Sequence, residues 1–427
     1  MSRISRREFL KASGAAAATS LLSGCLTQPS VPSKPIGRVI VIGGGFGGAT
    51  AAKYLRMWSE GTIEVFLIER NAEFISCPTS NLVLGGTKTM GDITRSYSRL
   101  REYGVQVLRD EATAINVEKK RVSLKRIEDL PYDRLIVSPA VDFMHEQIEG
   151  YNTEAQKTVL HAWKAGPETV ALRQQLEAMR DGGVYVLAIP RSPYRCPPGP
   201  YERACQVAFY FKQAKPRSKV IILDANEDVV SKPGLFKAAW NELYKGMIEY
   251  RGNSEVKTVD ARAMTVKTDF DTIKGDVLNV LPPMRAGDIA RSAGLLAPNT
   301  RWCGVDWLSM ESTAHKGIHV LGDATLSAPA MPKSGHMANN HGKLAAAAII
   351  ELMNGRAPSP QPVIANTCYS FVSDKEVIHV ASVHRYDPAQ KTMTVVPGAS
   401  GVSSGRSEIE GGYGWAWAQN IWSDMLG

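Results

Sequence analysis

The chain has 427 residues, 44% apolar and 22% charged, with six cysteines, eight histidines and a formal charge of +8. No apolar run reaches the roughly 18 residues of a membrane-spanning helix, so a globular chain of about two or three domains is expected. The positive charge is spread without Lys/Arg runs or interleaved aromatics; this argues against nucleic-acid binding and at most favours small anionic substrates.

Ser5-Arg6-Arg7-Glu8-Phe9-Leu10-Lys11, followed by the mild apolar stretch Ala12 to Leu22, reads as a twin-arginine export signal within residues 1–25. That route carries folded proteins to the periplasm, which suits a chain that acquires a cofactor first. Leu22-Ser23-Gly24-Cys25 also resembles a lipoprotein box, in which Cys25 would become the lipidated first residue; ordinary cleavage is the alternative.

After a Pro/Ser-rich connector, Arg38 to Ile42 is a β-branched run ending on Gly43-Gly44-Gly45-Phe46-Gly47-Gly48, and a second strand, Ile63 to Ile68, finishes on Glu69. Strand, glycine turn, helix and acid form the dinucleotide fingerprint. Gly43 makes the turn, Gly45 lets a pyrophosphate approach, Gly48 lets helix and strand pack, and Glu69 accepts ribose hydroxyls. Between about Gly150 and Met284 lies a second α/β unit, with helices Glu168–Arg180 and Glu202–Gln213 and strands Val184–Ile189 and Val220–Asp224. A nicotinamide-nucleotide site would need a glycine-rich turn after Ile189. The turn instead reads Pro190-Arg-Ser-Pro-Tyr-Arg-Cys-Pro-Pro-Gly-Pro200, and prolines lack amide donors and hold φ near about −65°. Asp224 keeps the position of a ribose-binding acid, but the unit reads as a nucleotide fold without its nucleotide site.

Gly317 to Ala324, an apolar strand closing on Gly322-Asp323, resembles the second FAD motif of flavoproteins with two dinucleotide domains, whose Asp binds the ribitol chain. The helix expected over about Ser334–Asn354 would aim its positive end at the flavin. The tail from Gln361 holds Cys368, strand-like pieces at Val377–Val383 and Thr392–Val396, a flexible Gly/Ser stretch and the aromatics Tyr413, Trp415, Trp417 and Trp422. Such a cluster is core, flavin cover or partner contact.

Unpaired thiols are uncommon in exported proteins, which draws attention to Cys77, Cys196, Cys205, Cys303 and Cys368. None lies in a C-x-x-C-H haem motif, and the histidines show no metal-ligand spacing with them. On the residues alone, Cys77 is a buried thiol beside a noncovalent flavin, and if one of the five is otherwise consumed, two pairs, or one pair and two buried thiols, remain. Glu202 reads as a helix-start carboxylate or a proton-handling group, Lys333 as a surface lysine or a flavin-facing cation.

Together, Cys77 to Gly86, Arg195 to Arg203, His315 to Ala324, Met331 to Gly335 and Asn366 to Ser370 resemble the flavoprotein subunit of flavocytochrome c sulfide dehydrogenase, from about Arg38 to the C-terminus. The resemblance implies an α/β fold with two Rossmann-like domains of the glutathione-reductase type plus a small C-terminal α+β interface domain. The expected limits are 36–149 and 285–360 for the FAD domain, 150–284 for the NAD-like domain and 361–427 for the interface domain. It further implies FAD attached covalently at Cys77 and a redox-active Cys196–Cys368 disulfide over the flavin. Glu202 would serve as acid/base, Lys333 would sit near the flavin pyrimidine, and Trp417 near the ring. Arg195 adjoins one sulfur and would stabilise its thiolate; Cys205 and Cys303 look structural or spare. The implied reaction is oxidation of sulfide to sulfur or polysulfide, with electrons passing to a c-type cytochrome subunit in a heterodimer. One rival is a sulfide:quinone oxidoreductase, which would need an amphipathic C-terminal helix that Gly411, Gly412 and Gly414 make poor. The other is a non-catalytic flavin electron carrier with structural cysteines.

Overall fold

Strand β1 (Gly37–Ile42) is the first element of a computed structural model that describes residues 35–427; the twin-arginine segment and Cys25 lie outside the described residues. Its Val39, Ile40 and Val41 are fully buried because parallel neighbours flank it on both sides and helices cover its faces. Helix α1 (Phe46–Trp58) follows the glycine turn, then β2 (Ile63–Ile68), the short helix α2 (Ser80–Gly85), β3 (Gln106–Leu108) and β4 (Arg134–Val137). Two glycines are dictated by contact. Gly43 has φ +95°, and a Cβ there would lie 2.3 Å from Ser138 O; one on Gly48 would lie 1.9 Å from Gly43 O.

A second sheet intervenes before the first is completed. It comprises β5 (Val184–Ile189), β6 (Lys219–Asp224), β7 (Ile248–Arg251) and β8 (Val277–Val280), all parallel in the order β7-β6-β5-β8. Its helices are α3 (Pro167–Ala178), α4 (Gly199–Ala214) and α5 (Pro233–Leu243). Helix α4 starts one turn before the expected Glu202 because Pro200 is tolerated in a first turn, where amide hydrogens have no intrahelical partner. The chain then returns through β9 (Ile318–Val320), which pairs in parallel with β4 in the first sheet, and α6 (Gly335–Met353). Ser334 caps α6 by accepting from Met337 N at 3.0 Å. Helices α1 and α6 press together so closely that a Cβ on Gly342 would lie 2.5 Å from Gly47 O.

The tail departs from the sequence expectation. A strand not anticipated, β10 (Val363–Phe371), carries Cys368 and pairs with β11 (Val377–Asp387), which pairs with β12 (Thr392–Val402); both strands run beyond their expected ends, and β12 takes in part of the Gly/Ser stretch. The aromatic cluster lies on a 19-residue helix, α7 (Glu408–Leu426), which runs unbroken through Gly411, Gly412 and Gly414. Two of those glycines serve packing: a Cβ on Gly411 would stand 1.8 Å from Lys375 O, and one on Gly414 would crowd Tyr369 and Phe371. Ala418, Ile421, Trp422, Met425 and Leu426 are buried, and Lys53 donates to the carbonyls of Ser423 (3.1 Å) and Asp424 (2.9 Å), fastening the end of α7 to α1. Among the described residues no helix is long and apolar enough to cross a membrane.

Candidate functional site

A cavity of about 880 Å³ runs from the glycine turn to the C-terminal sheet. At one end Glu69 accepts from Gly44 N at 2.8 Å and from Asn71 N and Nδ2. The space over Gly45 is open: a Cβ there would meet nothing within 4 Å. No side chain caps the first turn of α1, so its amides remain available to an anion. Farther along, Gly322 takes φ +67° and Asp323 faces the cavity with a buried Oδ1 that has no partner. Burial pushes the Asp323 carboxyl up, against the pull of Arg195 and Lys333. An orphaned buried acceptor is costly unless a ligand supplies the donor. Anion-ready turn, acid at the end of β2 and unpartnered acceptor fit a dinucleotide such as FAD, to which Asp323 would offer its free oxygen.

The cysteines reach this cavity from three directions. Cys77 stands before α2, its carbonyl accepting from Ser80 N and Oγ, and its Sγ accepting from Ala165 N at 3.4 Å. Cys196 lies on the proline-rich loop at φ +59°, fixed by its N–H donating to Lys333 O at 2.8 Å. Gly199 makes room for it, because a Cβ there would lie 2.8 Å from both Cys196 Sγ and the Trp163 ring. Arg195 donates to Trp163 O, and Trp163 Nε1 donates to Arg195 O at 3.2 Å, closing the loop on itself. Cys368 comes from β10, its sulfur in contact with Asn366 at 3.4 Å, and Asn366 in turn accepts from Ser334 Oγ.

Cys196 and Cys368 are both thiols here, at the cavity wall. Burial pushes both up; Cys196 is raised further by the charges of Cys368 and Glu202, whereas Lys232 draws Cys368 back down. Glu202 is buried with both oxygens engaged: Oε2 accepts from Asn81 Nδ2 at 2.9 Å and Oε1 from Phe371 N at 2.8 Å. Burial still dominates and raises its carboxyl. Trp417 lines the cavity, 5.9 Å from the His336 ring and 6.2 Å from Tyr369.

The Lys333 side chain does not line the main cavity. Its Nζ turns away to the carbonyls of Asp323 (3.0 Å) and Thr325, with the Trp302 ring 3.7 Å off, because these acceptors solvate the ammonium inside the protein. Burial lowers it to about 8. Its backbone carbonyl, which holds Cys196, is its contact with the site. Cys205 and Cys303 do not bridge: Cys205 accepts from Trp240 Nε1 at 3.3 Å, and Cys303 is a separate buried thiol pushed up to about 12.

Asp224 is already spoken for. Its Oδ2 accepts from Tyr201 (2.7 Å) and Tyr250 (3.1 Å) hydroxyls and its Oδ1 from Asn226. The sequence reading missed Asn81, Arg203, Lys232 and Asn366. Arg203 ties Asn81 to Asn279 and to the carbonyls of His161 and Ala162. Asn81 and Asn366 lie inside motifs already quoted; Lys232 carries no pattern.

Fold and cavity define a FAD-binding protein of the pyridine nucleotide-disulfide oxidoreductase class, and the family model of that name matches residues 37–174. Two further models match: the central domain of the sulfide dehydrogenase [flavocytochrome c] flavoprotein chain over 169–282, and the flavocytochrome c sulphide dehydrogenase flavin-binding domain over 360–426. The chain is 54% identical over 46 residues to the sulfide dehydrogenase [flavocytochrome c] flavoprotein chain of Chlorobaculum thiosulfatiphilum, covering 11% of this chain and 94% of that sequence. It belongs to the family of flavocytochrome c sulfide dehydrogenase flavoprotein chains. More distantly, it is 21% identical over 301 residues to a mitochondrial sulfide:quinone oxidoreductase of Dictyostelium discoideum, covering 68% of this chain and 66% of that one, just short of two thirds of its length. The sulfide:quinone oxidoreductase structure from Aquifex aeolicus shares the fold, with TM-score 0.73, 18% identity and 92% coverage of each chain. A twin-arginine signal model matches residues 3–23, pointing to export to the periplasm.

Proposed function

We propose that the chain oxidises sulfide to sulfur or polysulfide through a reversible Cys196–Cys368 disulfide, and that a c-type cytochrome subunit, bound as a heterodimer, carries the electrons away. The observation that supports this reading is that both thiols line the cavity that also holds the unpartnered Asp323 carboxylate and the glycine turn. HS⁻ attacks one sulfur of the disulfide; the S–S bond breaks, a persulfide forms on that cysteine, and the electron pair stays on the other as thiolate. Glu202, raised by burial toward the range useful for proton transfer, takes the proton of arriving H₂S. Arg195 adds positive charge beside Cys196. Bound FAD supplies a two-electron acceptor that can release electrons singly, and Cys77 holds it as a thioether. The Asp224 carboxylate, engaged by two tyrosines, and the proline-rich turn leave the second α/β unit without a nicotinamide-nucleotide site.

The test is anaerobic titration of the holoenzyme with sulfide, followed at the flavin absorbance. Bleaching is expected in the wild type and lost in Cys196→Ser and Cys368→Ser; unchanged bleaching in both variants refutes the disulfide mechanism. Reoxidation by c-type cytochrome rather than by a soluble quinone distinguishes the acceptor. The inward-facing apolar side of α7 favours the cytochrome, since a membrane-lying helix would need that side free.

A further inference from the structure

Lys232 is a buried cation without a carboxylate partner among the described residues. It is 6% exposed, adopts φ +56° just before α5, and its Nζ donates to three neutral oxygens: Ser370 Oγ (2.8 Å), Cys368 O (3.2 Å) and Ile378 O (3.3 Å). A buried ammonium so placed is costly unless an anion arises beside it. Cys368 and Ser370, two residues apart on β10, share a face, so an ammonium bonded to Ser370 Oγ lies on the side of the strand that carries the sulfur. The charged and titratable groups that act on it are Cys368, Glu202, Cys196 and Glu410. The two cysteines are therefore not equivalent. Cys196 faces Glu202 and the other sulfur with Arg195 to offset them, whereas Cys368 has Lys232 as its strongest acidifying neighbour.

Resting on the proposed sulfide chemistry, we infer that Lys232 is a positioning residue that holds negative charge on Cys368 and thereby makes Cys196 the sulfur that sulfide attacks. The step balances as follows: HS⁻ forms a bond to Cys196 Sγ, the Cys196–Cys368 bond breaks, and its electron pair leaves on Cys368. Cys196 carries the persulfide, and the disulfide is the group reduced. The better leaving sulfur is the one whose thiolate is more stable.

The test is peptide-resolved alkylation of the reduced holoenzyme by iodoacetamide across pH, in the wild type, Lys232→Met and Lys232→Arg. Cys368 is expected to titrate below Cys196 in the wild type. Lys232→Met should raise the Cys368 midpoint by about 1–3 pH units and slow its alkylation at neutral pH by about tenfold or more, with Cys196 little moved and Lys232→Arg restoring most of the loss. A Cys368 midpoint at or above that of Cys196 in the wild type, or one unmoved by Lys232→Met, overturns the assignment. If Lys232→Met does not fold, the wild-type comparison decides. No sulfide enters this measurement, so a wild type that sulfide fails to bleach would sink the proposed function and leave the charge assignment standing.

Discussion

Asn81 and Glu202 meet at the cavity wall, Nδ2 of Asn81 donating to Oε2 of Glu202 at 2.9 Å while its Oδ1 accepts from Arg203. The contact couples the Cys77 loop to the helix behind Cys196. Asn81→Leu removes one of the two donors that lower Glu202 and leaves Arg203 Nε without its acceptor. We expect a stability loss of about 1–3 kcal/mol in denaturant unfolding. The acid limb of sulfide-dependent flavin reduction should move to higher pH; a limb that stays in place would detach Asn81 from the chemistry.

Glu202 itself sets a pH dependence of stability. Burial raises its carboxyl above the unfolded value, so over that interval the folded chain holds a proton that the unfolded chain has released. This favours folding at acid pH and is lost as pH rises through the folded-state range. Glu202→Gln should flatten that fall in thermal melts and slow sulfide-dependent reduction at neutral pH by about 100-fold or more.

Gly199 is the clearance for a sulfur. Gly199→Ala would put a methyl 2.8 Å from Cys196 Sγ and the Trp163 ring, a strain of about 1–3 kcal/mol. Alkylation of Cys196 in the reduced enzyme should change while that of Cys368 does not; equal rates for Cys196 in variant and parent would show that the wall yields freely.

Acid precipitation tests the thioether proposed at Cys77. The pellet should stay yellow, with FAD mass on the peptide containing Cys77, and Cys77→Ser should release all its flavin to the supernatant. Free FAD from the wild type would rule out the bond.

Lys53 caps the far end of α7. Lys53→Met leaves two carbonyls without their charged donor, and we expect about 1–3 kcal/mol lost, with faster amide exchange over residues 415–427 than elsewhere.

The parts of this molecule that were legible from its residues are those written locally. The β1 run and Gly43 to Gly48 announce themselves because a turn with φ +95° and a helix one carbonyl away admit only glycine. Ser334 at the start of α6 is equally local. Helix α7 was hidden by its glycines, whose role is to approach Lys375 and Tyr369 rather than to bend the chain. The Lys333 ammonium is solvated by carbonyls of a loop ten residues or fewer away, a choice made by tertiary packing that no spacing in the sequence announces. Lys232 could not be found at all: its meaning depends on β10 lying across it, and no spacing in the sequence says so.

Cys368 and Trp417 both belong to the last segment of the chain, whose sheet and helix are latched by Gln206 to the carbonyls of Phe371 and Ser373 and by Lys53 to α7. Loosening either latch would therefore disturb Cys368 and Trp417 at one end of the cavity while leaving the glycine turn at the other end untouched.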